Sequence, residues 1–127
     1  MPATESERES TSRASARWSW PLSFAGFLVC LVPIFYVGGF RDSFTYWNCL
    51  PVAIAFIVLL VSRQSTPARA FALVSAGITV FMHLAWIGDW GGITTGSSTS
   101  GLIFIFIPAW SVAFGIVASF IARLGGF

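Results

Sequence analysis

The sequence predicts an all-α integral membrane protein: a four-helix bundle with short connections and both termini in the cytoplasm. Three observations predict it. Hydrophobic residues make up 56% of the 127 and charged residues only 9%, where a soluble domain carries roughly 25% charge. The apolar residues gather into four runs, about 21–38, 45–61, 68–88 and 102–122, each close to the ~20 residues that cross a hydrocarbon core as a helix. The arginines stand at the ends of those runs rather than within them. A water-soluble chain this short has too much surface for its volume to hide so much apolar area. Lipid removes that difficulty.

Residues 1–17, MPATESERESTSRASAR, mix Ser, Thr, Glu and Arg with almost nothing to bury, and are expected to form a flexible polar tail. Residues 18–127 form the four-span domain. The first apolar run starts too late and lacks the small-residue cleavage site of a secretory signal, so it is expected to be retained. Trp18 and Trp20 precede it and Tyr36 and Phe40 follow it, as aromatic anchors at two interfaces would. Pro33 is expected to kink it.

Arg41, Asp42 and Ser43 make the first connection. The second span is short, with Pro51 in its first turns, where a missing N–H costs least. The next connection, SRQSTPARA, carries Arg63 and Arg69 without an acid, and Pro67 marks a turn or helix start. The third span begins near Ala68 and continues to Trp86 or as far as Trp90. The fourth, interrupted by Pro108, ends at Arg123.

Arginine placement sets the orientation. With four spans, Arg8, Arg13, Arg17, Arg63, Arg69 and Arg123 fall on one side and Arg41 alone on the other. Positive residues favour the cytoplasmic side, which places both termini there. The bias also argues against dual topology, in which the two sides would be nearly balanced. The expected location is a bacterial inner membrane. Scattered arginines form no basic stripe in water, so no nucleic acid partner is expected. Cys30 and Cys49 make neither a CxxC pair nor a metal cluster and are expected to be buried thiols.

The stretch 81–101, FMHLAWIGDWGGITTGSSTSG, holds the unusual chemistry, including the only histidine. At steps of three and four, Ala72, Ala76, Thr79, His83, Trp86 and Trp90 share one face of a continuous helix. His83 would lie roughly 6 Å outward of the bilayer centre, a depth at which a histidine faces protein or a wet cavity. Asp89 falls about 120° round from His83, so the two are not expected to pair. Ser97, Ser98, Thr99 and Ser100 could cap the fourth helix and leave its positive end for an anion or polar headgroup. Together His83, Trp86, Asp89, Trp90 and Ser97, Ser98, Thr99 and Ser100 are the ligand or gating candidates. On the fourth span Ser111, Gly115, Ser119 and Ala122 form a small-residue packing seam, expected to work within the monomer.

No catalytic residues, metal or cofactor are expected. A lone imidazole cannot specify a metal site, and Ser and His without a short contact make no nucleophile. These missing parts favour a non-enzymatic accessory or structural/interaction protein whose partners are membrane lipids and a second copy or another membrane protein. Two alternatives remain open. One is a small oligomeric transporter or channel with an outward-facing polar entrance near His83. The other is an intramembrane enzyme acting on a lipid headgroup or quinone.

Overall fold

The computed structural model describes residues 2–63, 65–92 and 102–126, with the backbone alone described at 11–19. Among the described residues are four α-helices: α1 (Glu5–Gly38), α2 (Ser43–Val61), α3 (Thr66–Ile87) and α4 (Ile103–Leu124), with a 3₁₀ turn at Trp90–Gly92. Each helix includes a stretch long and apolar enough to cross a membrane, consistent with a transmembrane protein.

Successive helices run in opposite directions, so the end of α1, the starts of α2 and α4 and the C-terminal half of α3 meet at one end. We call this the His83 end and the opposite one the arginine end. Helix α3 is central, touching all three others and packing most extensively on α4. Its buried line runs through Ala68, Phe71, Ala72, Ser75, Thr79 and His83, the period that places residues on one helical face.

The first helix differs from expectation. Where the sequence predicts a polar tail, the helix reaches back to Glu5. The Thr4 N–H donates to Glu7 Oε2 at 3.0 Å, and Glu5 and Glu7 place negative charge in the first turn. Both features satisfy the electropositive start of a helix. Local capping can organise a segment that has nothing to bury.

The other boundaries follow local chemistry. Asp42 Oδ1 accepts from the Phe44 N–H at 3.0 Å and caps α2. Pro67 stands in the first turn of α3, where its missing N–H has no intrahelical partner to lose. The first connection is pinned by aromatic rings: Phe35 stacks on Phe40 at 4.8 Å and Tyr46 Oη donates to the Phe40 carbonyl at 2.9 Å. Trp47 Nε1 donates to the Ile105 carbonyl at 3.1 Å. That bond ties α2 to a turn of α4 that Pro108 already deprives of a backbone donor.

Two close approaches hold the bundle. A β-carbon on Gly115 would lie 2.9 Å from Phe71 Cδ2 and 3.0 Å from Ser75 Cβ, and one on Gly38 would collide with Thr45 Oγ1. Glycine lets α4 settle on α3 at the first point and α1 on α2 at the second. Towards the arginine end the interior is apolar, built from Ala55, Phe71 and Ala72 with Val58, Leu59 and Val112 around them.

Candidate functional site

The bundle interior carries a run of polar side chains. Thr45 and Asn48 of α2, Ser75, Thr79 and His83 of α3, and Ser111 of α4 are all buried. Their spacing explains the line: Ser75, Thr79 and His83 succeed one another at four residues, so each stands over the last on α3.

Thr79 Oγ1 lies 3.0 Å from the Ser75 carbonyl oxygen and 3.0 Å from Ser111 Oγ. A hydroxyl has one proton to give, and the carbonyl can only accept. Thr79 is thus the donor shared between the Ser75 carbonyl and Ser111 Oγ. One turn further, His83 Nδ1 lies 2.7 Å from the Thr79 carbonyl oxygen. The same logic makes Nδ1 the donor, so that in the neutral ring Nε2 is the nitrogen without a proton. The imidazole also packs against Phe104 of α4, centroid to centroid at 5.0 Å.

Beside this run a cavity of about 220 Å³ opens at the His83 end, lined by Asp42, Thr45, Asn48, His83, Trp86 and Phe104 among others. Trp86 stands edge-on to Phe104 at 4.8 Å. Asn48 Nδ2 donates to the Phe44 carbonyl at 2.8 Å, which fixes the orientation of its amide. Asn48 Oδ1, Thr45 Oγ1 and Ser75 Oγ have no hydrogen-bond partner within the described structure. Buried polar atoms left this way are costly, and the cavity has room for several waters at ~30 Å³ each.

The sequence candidates divide. His83 and Trp86 join the cavity. Trp90 does not share their face, which corrects the expectation of a continuous helix. Helix α3 ends at Ile87 and Asp89 takes a left-handed φ of 48°. Trp90 then folds back over Gly88 and packs edge-on against Phe81 at 5.7 Å. Asp89 does not line the cavity around His83. Ser97, Ser98, Thr99 and Ser100 lie outside the described residues. In the α4 seam, Ser111 and Gly115 are buried and Ser119 and Ala122 half-buried.

Sequence reasoning missed Thr45, Asn48 and Ser75. The signal was available in α2, where Thr45, Asn48, Val52 and Ala55 recur at steps of three and four and form its buried edge. An asparagine within an apolar helix is itself a mark of an inward face. Among the described residues, no group of three His, Cys, Asp or Glu side chains could hold a metal ion.

Comparison with known proteins finds no matching family model, curated protein or solved structure.

Proposed function

We propose that the chain is a four-span integral protein of a bacterial inner membrane, with both termini cytoplasmic and a non-enzymatic accessory or interaction role. The placement of six arginines against Arg41 supports the orientation. One observation carries the role: the bonds made by the buried polar groups are structural. Thr79 and His83 bond to backbone carbonyls of their own helix, and the Thr79–Ser111 bond clamps α3 to α4. A nucleophilic site needs a hydroxyl on the free nitrogen of the imidazole, whereas the Thr79 and Ser111 hydroxyls bond to each other and to a backbone carbonyl. A route across the membrane would have to pass the apolar layer of Ala55, Phe71 and Ala72. Outside, α4 presents Trp110, Phe114, Phe120 and Ile121, a surface suited to lipid or to another membrane protein.

The cavity at the His83 end favours a second reading, in which it is the outward entrance of an oligomeric transporter. Vesicle reconstitution separates the two. On the accessory reading, vesicles containing the protein pass protons and small solutes no faster than empty ones. A flux abolished by His83→Ala would replace it with transport. Orientation is tested by reporter fusions, which should be cytoplasmic at the C-terminus and external in the 39–42 connection. The reverse pattern would sink the topology.

A further inference from the structure

A second cavity, of about 750 Å³, runs between α1 and α3 over a floor supplied by α2. Its walls are apolar and partly made of small residues, including Gly26 of α1 and Ala72, Ala76 and Gly77 of α3. A β-carbon built on Gly26 or Gly77 would meet no atom within 4 Å, so the protein leaves this groove open along both walls.

One charged residue lines it. Arg69, in the first turns of α3, stands at the arginine end of the groove and forms no ion pair among the described residues. Arg63 and Arg123 lie at the same end of the bundle, at the ends of α2 and α4. Both aspartates lie at the opposite end, and Glu9, the nearest glutamate of α1, is roughly 16 Å along the helix beyond Trp20. From Arg69 to Leu84 the groove follows about 22 Å of α3 at ~1.5 Å per residue. One leaflet's share of a ~30 Å hydrocarbon core is about 15 Å. An acyl chain anchored at Arg69 can therefore lie within the groove along its whole length.

We propose that this groove binds one acyl chain of an anionic phospholipid, whose phosphate is held by the Arg69 guanidinium. The chemistry is complementary at both ends. The small-residue walls admit a flexible hydrocarbon, and a guanidinium pairs with phosphate through two parallel hydrogen bonds. A choline headgroup brings a cation for which this end supplies no described carboxylate. The groove lies on the α1–α3 side and shares none of the polar cavity's residues named above. The inference rests on the membrane reading, which carbonate extraction of cells tests separately: recovery of the chain in the aqueous fraction would remove that reading.

The test is native mass spectrometry of the full chain in mild detergent, with added phosphatidylglycerol or phosphatidylcholine of identical acyl chains. Phosphatidylglycerol should be retained about five-fold more tightly, the worth of one arginine near an anionic headgroup. Arg69→Gln should reduce it to the phosphatidylcholine level, while Arg123→Gln, away from the groove, leaves it unchanged. Gly77→Phe should weaken retention of both lipids by filling the groove, in a protein with wild-type helical content by circular dichroism. Equal retention of both lipids by the wild type, equal effects of the two arginine variants, or undiminished binding to folded Gly77→Phe would each overturn the proposal. The same retention of phosphatidylglycerol by exposed α4 variants and by Gly77→Phe would identify general surface lipid instead.

Discussion

Thr79 Oγ1 faces two acceptors at 3.0 Å, Ser111 Oγ on α4 and the Ser75 carbonyl one turn below on its own helix. One hydroxyl proton serves both. The two residues are therefore unequal: Ser111→Ala removes one acceptor, whereas Thr79→Val removes the donor to both. In a double-mutant cycle of unfolding in micelles, the pair should couple by roughly 0.6 kcal/mol, with ~1.7 kcal/mol as the upper end for such bonds within membranes. Thr79→Val should be the more damaging single change. Additive single effects would mean that the two hydroxyls do not interact.

The contact between His83 Nδ1 and the Thr79 carbonyl predicts a tautomer. Because the chain has one histidine, selective nitrogen-15 labelling reports a single ring. At neutral pH the spectrum should show a protonated Nδ1 and a bare Nε2. A proton on Nε2 instead would break the link between α3's backbone and the imidazole.

Gly115 sets the distance between α3 and α4. Gly115→Leu should destabilise the protein by about 1–3 kcal/mol or more, since the added atoms must displace Phe71 and Ser75. Ser119→Ala, one turn on at a half-buried position, should stay within about 0.5 kcal/mol of wild type. Comparable unfolding curves for both variants would show that the seam is not the tight point.

At the His83 end, Gly38→Ala should be destabilising because its methyl meets Thr45 Oγ1. Thr45→Ala removes the obstructing atom together with an unpartnered buried hydroxyl. The double variant should therefore be more stable than Gly38→Ala alone. If the second substitution only adds damage, the two residues are not in contact.

Much of this architecture is legible in the sequence. The apolar stretches of the four helices fall close to their expected ranges because each is written as a run bounded by Asp42, Pro67 or glycine, and such signals are local. The pairing of Thr79 with Ser111 is not local. Both residues sit on small or polar stripes that the sequence displays, but nothing in the spacing says which stripe faces which. Trp90 was misplaced for another reason: periodicity extends a helix until something stops it. The stop at Gly88 and Asp89 is a backbone event that a wheel does not record. The helical start at Glu5 went unseen because hydropathy detects burial, while a cap works without any.

The length of α1 has a mechanical consequence. Its 34 residues make a rod of about 51 Å, while the apolar stretch begins only at Trp20. With that stretch in a bilayer, the preceding turns hold Glu5, Glu7 and Arg8 roughly 20 Å clear of the hydrocarbon. A partner gripping those charges would act through a lever. Tilting or turning it would pass along the helix to Pro21, where the missing N–H makes a place to bend, and beyond it to Pro33 and Ile34, which are buried against the rest of the bundle.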